Sequence, residues 1–343
     1  MDLLVELLQV SLGTRDELSQ APNDNEWAQV LQEVQRQSVL CFFVDGLERL
    51  STDQLPPQQL LLQWIGLAQM IEAAYALQCG HAKELTEIFR KEGFQTCILK
   101  GVGLSQLYPN ASRRQGGDID LWVKGDRKTI VAWLKQKCAV DHMLWHHIDA
   151  KFFEDMPTEI HYHPCWLYNP FCNKSLQKWV DSKSDGQLKQ DVRLGFAYPT
   201  VQFNAVYSLV HFYHHLIEEG VGLRYVVDYF FILKALPVED QTSTVATLRH
   251  LRLYKLASAV MWVLKEVCAM SEEYLICEPN EKEGRFLFDE IMRGGNFGHH
   301  RTDNRRRNSS ARLMSFLPHY PGEVLWVVPW KLWHMGWRRI HHG

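Results

Sequence analysis

The sequence predicts an α/β fold of the α+β type, in which a small mixed sheet lies between N-terminal and C-terminal helical regions. Apolar residues recur at helical spacing before residue 94 and again after residue 165. Between these limits, short apolar runs alternate with polar segments, as strands and helices do when helices cover a sheet. We therefore expect a helical region at 1–94, a sheet-containing core at 95–165 and a second helical region at 166–343.

Three helices are predicted in the N-terminal region. The first two carry apolar residues three and four positions apart, on either side of a break at 22–25. Pro56 and Pro57 suit the start of a long third helix that ends near Gly93, because proline at the first helical position loses no needed N–H. The apolar faces consist of Leu3, Leu4, Leu7 and Leu8, then Trp27, Val30, Leu31 and Val34, then Leu60, Leu61, Trp64, Leu67, Ala68, Ile71, Ala74 and Tyr75.

The core is predicted to begin with two short apolar strands, at 96–99 and 119–123. A short helix at 102–109 joins them, and a helix at 126–137 follows the second strand. Two further strands are expected, at 143–153 and 159–163. Beyond residue 164 the chain is expected to be mostly helical, including 200–235 and 245–270. A long polar loop is expected at 294–312; it carries Arg301, Arg305, Arg306, Arg307 and Arg312.

Composition narrows the classes of function. A formal net charge of −3 over 343 residues argues against a general nucleic-acid binder, although the arginine-rich loop leaves a local contact open. The eight cysteines form no CxxC pair, which argues against a disulfide framework or a cysteine zinc site. We expect no signal peptide and, without an unbroken run of eighteen apolar residues, no spanning helix. The expected location is cytoplasmic.

The segment that carries chemistry is Gly116-Gly117-Asp118-Ile119-Asp120. Side chains alternate across a strand, so Asp118 and Asp120 should point to one face while Ile119 points into the core. Two neighbouring carboxylates repel each other unless a cation lies between them, and Mg²⁺ (or Mn²⁺) binds such oxygens together with substrate phosphates. Paired glycines let phosphates approach the backbone. The alternative is a solvated face of an edge strand.

The residues around this segment resemble the uncharacterised nucleotidyltransferase family of the polymerase-beta-like superfamily. The resemblance covers roughly 95–235. It depends on Ile98-Leu99-Lys100-Gly101, Leu104, Tyr108-Pro109, Arg114 and Gly117-Asp118-Ile119-Asp120-Leu121, then on Glu159-Ile160-His161, Gly220-Val221-Gly222-Leu223-Arg224 and Asp228.

The resemblance implies a metal-dependent transfer of a nucleoside monophosphate from a nucleoside triphosphate to a hydroxyl acceptor. The acceptor would be a small molecule, a sugar, a protein or an RNA end. The implied catalytic and metal-binding residues are Asp118, Asp120 and Glu159. The expected nucleotide-binding residues are Lys100, Gly101, Arg114, Gly117, His161 and Arg224.

One departure from the superfamily pattern keeps an alternative open. The superfamily usually has Gly-Ser after the first strand, whereas this chain has Lys100-Gly101-Val102. Either Lys100 takes the part of the missing serine or nucleotide binding is weakened. The alternative is a non-catalytic nucleotide-binding or scaffolding protein with the same fold.

Histidines suggest a further alternative. His161 and His163 would share a strand face with Glu159, which is acceptable zinc geometry and would suit a zinc-dependent hydrolase. His211 and His215 are four residues apart on a predicted helix, where packing in the core is the simpler interpretation. Arg224 and Asp228 have the same spacing and are candidates for an ion pair within one helix.

The C-terminal segment from 325 to 339 is rich in tryptophan and basic residues. Trp330, Trp333 and Trp337 would lie on one helical face. Such a helix either closes the core of the helical region or makes a peripheral membrane contact.

Overall fold

The computed structural model describes residues 2–189, 191–298 and 309–341. Its first helices are α1 (Asp2–Leu12), α2 (Asp24–Arg36), the short α3 (Val44–Leu47) and the long α4 (Gln58–Lys91). A capping box starts α2: the side chain of Asn23 accepts from the N–H of Glu26, whose carboxylate accepts from the N–H of Asn23. The three predicted helices are present, and α3 is an addition.

Five strands form a mixed sheet within the described residues. They are β1 (Gln95–Ile98), β2 (Ile119–Lys124), β3 (Val140–Met143), β4 (His147–Ala150) and β5 (Thr158–His161), in the spatial order β1-β2-β5-β4-β3. β2 and β5 run parallel, and every other neighbouring pair is antiparallel. Two helices lie within this region, α5 (Gly101–Leu104) and α6 (Arg127–Lys137).

The single strand predicted at 143–153 is wrong. This segment belongs to a β-hairpin whose turn is closed by the N–H of Leu144, which donates to the carbonyl of His147 at 2.8 Å. The polar residues of β3 conceal a strand: Asp141 and His142 are both exposed. The short helix expected at 102–109 is also shorter, because α5 passes into a 3₁₀ turn at 105–107.

The C-terminal region contains eight helices in its described part: α7 (Pro170–Gln187), α8 (Val201–Glu218), α9 (Leu223–Ala235), α10 (Val238–His250), α11 (Tyr254–Glu266), α12 (Glu281–Gly294), α13 (Ser309–Phe316) and α14 (Pro321–His341). The single helix expected at 245–270 is wrong. The chain breaks between α10 and α11, where Arg252 adopts a φ of 61° that an α-helix cannot contain.

The predicted polar loop at 294–312 is only partly described. Arg301, Arg305, Arg306 and Arg307 lie outside the described residues. Arg312 lies within α13, is 3% exposed and donates from Nε to the carbonyl of Ile217 at 2.9 Å. Its place in a solvated loop is therefore wrong.

Two apolar cores lie on opposite faces of the sheet. The smaller core packs one sheet face, including Leu121 and Ile160, against α6 and the second half of α4. The larger core joins the first three helices to the C-terminal helices. The second sheet face, which carries the polar residues of β2 and β5, is turned toward the C-terminal helices.

By length and composition alone, α4 is the one described helix that could cross a membrane. Its buried residues instead contact both cores: Trp64 lies in the larger core, and Leu85 and Phe89 lie in the smaller one. The opposite face of α4 exposes Leu62 and Met70.

The tryptophans of α14 do not form a single exposed face. Trp330 stacks on Trp166 with 4.0 Å between ring centroids, and Trp337 packs beside the smaller core. Trp333 is 49% exposed. The tryptophans therefore do not share one environment as their spacing predicts: Trp330 and Trp337 pack against other residues, whereas Trp333 is partly in solvent. Other residues form most of the exposed apolar face of α14.

Candidate active site

Three carboxylates meet where β2 lies beside β5. The parallel register sets Asp120 opposite Glu159, and Asp118 lies two residues earlier on the same face. One oxygen from each carboxylate lies within 4.8 Å of the others, a spacing that one divalent cation can bridge. Asp120 is 2% exposed, so the interpretation as a solvated strand face does not hold for it.

Two cationic side chains neutralise these carboxylates. The Nζ of Lys100 lies 2.9 Å from one oxygen of Asp120, and the Nε2 of His161 lies 3.0 Å from the other. His161 also lies 3.2 Å from Glu159. Because His161 ends β5 and Lys100 lies two residues after β1, the sheet positions both charges beside Asp120.

These contacts shift the pKa values of Asp120, Glu159 and His161. Burial would raise the pKa of Asp120, but the charge of Lys100 and the hydrogen bond from His161 lower it. Burial also opposes ionisation of Glu159, whereas His161, His147 and Lys100 lower its pKa to about 2. Burial would lower the pKa of His161, but its two carboxylate partners raise it to about 9. Asp120 and Glu159 are therefore ionised at neutral pH.

Arg114 is held away from solvent by a carboxylate. Its Nε and Nη2 donate to the two oxygens of Asp228 at 2.7 and 2.8 Å, and the hydroxyl of Tyr108 donates to Asp228 at 2.6 Å. The remaining Nη1 donates to the carbonyl of Gly101 at 3.3 Å. Arg114 thus ties the turn after β1 to α9, the helix that carries Asp228.

The ion pair expected between Arg224 and Asp228 within one helix is wrong, because both carboxylate oxygens of Asp228 accept from Arg114. Arg224 donates to the carbonyl of Gln115 at 3.1 Å. Its guanidinium lies 5.6 Å from the ring centre of Tyr225 and 5.9 Å from that of Phe297.

Glycines shape the turn beside the carboxylates. Gly101 has a φ of 51°, which side-chain-bearing residues rarely adopt. A Cβ on Gly116 would lie 2.6 Å from the amide oxygen of Gln78, whose Nε2 donates to the carbonyl of Asp118. A Cβ on Gly117 would meet no atom within 4 Å. The backbone at Gly117 is therefore open to a ligand.

A cavity of about 580 Å³ connects these groups. Its walls include Lys100, Gly101, Arg114, Gly117, Glu159, His161 and Arg224 together with an aromatic and histidine side formed by Trp166, His211, His214, His215, Tyr225 and Phe297. Burial lowers the pKa of His214 to about 4 and that of His211 well below its usual value, so both line the cavity as neutral rings. A cavity of about 700 Å³ beside α1 and α2 contains none of the predicted site residues.

The histidine partners differ from those expected. His163 lies beyond β5, stacks on Trp145 and has its Nδ1 3.1 Å from Gln177, so its expected place beside His161 and Glu159 is wrong. His147 of β4 takes that place, with its Nδ1 3.6 Å from Glu159. The sequence signal for His147 was its alternation with Asp149, which places both side chains on one face of a strand. Because His146 precedes His147, the sequence alone does not show which of the two histidines lies on the face of Glu159.

His211 and His215 contact each other through their Nε2 atoms at 3.1 Å, and His211 stacks on Tyr207. They lie on α8 on the cavity wall, so they are packed side chains that also face the site.

Comparison with known families gives one match, which covers residues 23–269. That family is described as an uncharacterised nucleotidyltransferase. No match was found among curated proteins or among solved structures. The matched range covers more than half of the chain and includes every predicted site residue. The chain belongs to the uncharacterised nucleotidyltransferase family.

Proposed function

We propose that this protein is a metal-dependent nucleotidyltransferase that moves a nucleoside monophosphate from a nucleoside triphosphate to a hydroxyl acceptor. The observation that carries the proposal is the convergence of Asp118, Asp120 and Glu159, of which Asp118 and Glu159 line a cavity next to the open backbone of Gly117. The size of the cavity is in the usual range of small-molecule sites. Family membership supports the same chemistry.

The carboxylate oxygens fit a hard divalent cation. Asp118, Asp120 and Glu159 would hold Mg²⁺ or Mn²⁺, which when bound neutralises phosphate charge and increases the acidity of the attacking hydroxyl. An oxygen of the acceptor forms a bond to the α-phosphorus as the bond to pyrophosphate breaks. The hydroxyl proton passes to water, and Glu159 would assist by holding the metal that increases the acidity of that hydroxyl.

The remaining side chains bind and orient the triphosphate. Lys100 supplies a positive charge beside the carboxylates, and Gly117 lets phosphate oxygens reach backbone N–H groups. Arg224 lies on the same cavity wall, where its guanidinium is a candidate for the base or the phosphates. Arg114 already donates to Asp228 and Gly101, so we propose that it positions the turn instead of gripping phosphate.

A thermal-shift panel tests the proposal. Each nucleoside triphosphate is added with and without Mg²⁺ or Mn²⁺ to wild type, to Asp118→Asn/Asp120→Asn, and to the matched exposed variant Glu154→Gln. A ligand at a hundredfold excess over its Kd stabilises the folded state by about 2.7 kcal/mol. We expect metal-dependent stabilisation in wild type and Glu154→Gln and none in the double variant. No response in wild type would overturn the transferase.

The acceptor is tested with α-labelled nucleotide. Small alcohols, sugars, the protein itself and RNA ends are offered in parallel, and transfer of label with release of pyrophosphate identifies the acceptor class. Label that stays in free nucleotide with every class would contradict transfer to a hydroxyl.

A non-catalytic nucleotide-binding protein is the second candidate. Its support is that Lys100 and His161 already neutralise Asp120 and Glu159 without a metal. It predicts nucleotide stabilisation that is equal with and without Mg²⁺ and that survives Asp118→Asn/Asp120→Asn. The same panel therefore separates the two functions.

We also propose a peripheral membrane contact through α14. Leu325, Val328, Leu332 and Met335 are each more than half exposed and lie three to four residues apart, which places them on one face. Arg338 and Arg339 follow on the same helix and favour anionic lipid.

Vesicle flotation tests this contact in the full chain. Leu325→Gln/Leu332→Gln should lower binding to phosphatidylserine-containing vesicles, whereas Val238→Gln, an exposed apolar position on α10, should not. Equal flotation of all three proteins would remove the membrane proposal. Truncation before Leu325 is a poorer probe because it also removes Val327, which is fully buried.

A further inference from the structure

The candidate site contains two overlapping sets of metal-ligand atoms. Asp118, Asp120 and Glu159 form the first set, and His147, Glu159 and His161 form the second. In each set, the three donor atoms lie within 4.8 Å of one another. The sets share only Glu159. The first offers oxygen alone, whereas the second adds two imidazole nitrogens, a chemistry that the three carboxylates do not have.

His147 is oriented as a metal ligand would be. Its Nε2 lies 3.3 Å from Asp149, and its Nδ1 lies 3.6 Å from Glu159. When Nε2–H donates to Asp149, Nδ1 carries a lone pair and lies 3.6 Å from an oxygen of Glu159. Two acceptors then face each other, and a cation between them resolves the repulsion. A carboxylate on the far nitrogen is the usual partner of a metal-ligating histidine.

The second set is buried and incompletely satisfied. The side chains of His147 and His161 are 10% and 6% exposed. The Nδ1 of His147 has no hydrogen-bond partner within the described part of the chain. A buried polar nitrogen without a partner is costly, and a bound cation at this point would remove that cost.

We propose that this site holds a second divalent cation of the zinc class, bound by His147, His161 and Glu159, beside the oxygen-ligated Mg²⁺ position. Two histidines and one glutamate suit Zn²⁺ with one open coordination position, whereas Mg²⁺ prefers oxygen ligands. Glu159 would bridge the two ions. The division of labour between the ions rests on the proposed function, while binding of zinc itself does not require nucleotide transfer.

The test uses the full-length protein freed of metal and titrated with Zn²⁺ against a chromophoric chelator. We expect one tight Zn²⁺ per chain in wild type. His147→Ala should lower the affinity at least tenfold, and Asp149→Asn should lower it less, because Asp149 only orients the imidazole. His163→Ala is the matched control, a nearby histidine bonded to Gln177, and it should bind as wild type does.

A measurement on wild type keeps the proposal testable if a variant does not fold. X-ray absorption of the zinc-loaded protein should show two imidazole nitrogens at about 2.0–2.1 Å. A shell of oxygen alone, no stoichiometric Zn²⁺, or unchanged affinity in folded His147→Ala would each overturn the histidine site. In that case His147 contacts Asp149 and Glu159 without a metal.

The experiments distinguish failure of the proposed transferase function from failure of the zinc site. If Zn²⁺ binding depends on His147 but wild type shows no response to nucleotide with Mg²⁺, the transferase is overturned and the zinc site stands. If nucleotide binding depends on Mg²⁺ but zinc does not bind, the zinc site alone is overturned.

Discussion

Arg114 and Asp228 form a buried ion pair whose side chains are 6% and 8% exposed. Removing one partner leaves a buried charge without compensation, which costs about 3–5 kcal/mol in general. We expect Asp228→Asn to lower the free energy of unfolding by about 3 kcal/mol, since the amide oxygen still accepts one hydrogen bond. Urea denaturation followed by circular dichroism measures the change.

The exposed pair of Glu87 and Arg90 on α4 provides the control. Glu87→Gln should leave the urea midpoint unchanged, because solvent screens an exposed pair. An Asp228→Asn midpoint equal to that of wild type would show that Arg114 finds another partner.

The sequence predicts the position of a side chain where that position depends on its neighbours along the chain. Alternation along β2 predicts that Asp118 and Asp120 share a face, and the structure confirms it. Asp228 lies 114 residues from Arg114, and no local pattern connects the two. His147 was missed for a similar reason, since only the pairing of β4 with β5 brings it to Glu159.

The turn before β2 is stabilised by α4, and this contact can be tested. Gly116→Ala would bring a methyl group to 2.6 Å from the side-chain oxygen of Gln78 and disturb the bond from Gln78 to the carbonyl of Asp118. We expect a loss of about 1–3 kcal/mol in wild type and a loss below about 0.5 kcal/mol in the Gln78→Ala background. The double-mutant cycle measures the coupling.

Gly117→Ala is the matched control for that cycle. No atom lies within 4 Å of the added methyl group, so the free energy of unfolding should hardly change. The methyl group would face the cavity, so the metal-dependent thermal shift with nucleotide should shrink. Additive losses for Gly116→Ala and Gln78→Ala would contradict the contact between turn and helix.

Glu323 attaches α14 to the start of α7. Its carboxylate accepts from the N–H groups of Tyr168 and Asn169, but burial outweighs these bonds and raises its pKa to about 7. The folded state therefore favours protonated Glu323. Since glutamate in the unfolded chain titrates near 4.5, the contribution of this protonated form to the free energy of unfolding is fully present below about pH 4.5. It is lost as the pH rises through about 7.

Comparison of wild type with Glu323→Gln between pH 5 and 8 isolates this residue. Wild type should lose about 1–3 kcal/mol relative to Glu323→Gln across that range, because each unit of pKa shift corresponds to 1.36 kcal/mol. Urea midpoints at each pH provide the difference. Parallel pH profiles would show that the two N–H groups fully compensate the buried charge.

Helical elements were predictable where one face is apolar over several turns, as in α2 and α4. The hairpin of β3 and β4 was not, because exposed polar residues interrupt its pattern. The order of the strands, with β5 between β2 and β4, follows from long-range pairing that no local sequence signal specifies.

At the scale of the whole molecule, α4 connects the two cores. It is 34 residues and about 50 Å long, with Trp64 in the larger core and Phe89 in the smaller one. The division into regions at 94 and 165 stays a prediction, and the continuity of α4 bears on it. A rigid helix shared by both cores should make them unfold together.

We therefore expect one unfolding transition in wild type, coincident by tryptophan fluorescence and far-ultraviolet circular dichroism. Ala73→Pro interrupts α4 between the cores, which costs about 3 kcal/mol or more and should separate the two signals. Gln58→Pro is the control, since proline at the first helical position is tolerated. Two transitions in wild type would show that the cores are independent. Coincident signals in wild type would mean that any ligand bound at the candidate site stabilises the entire chain.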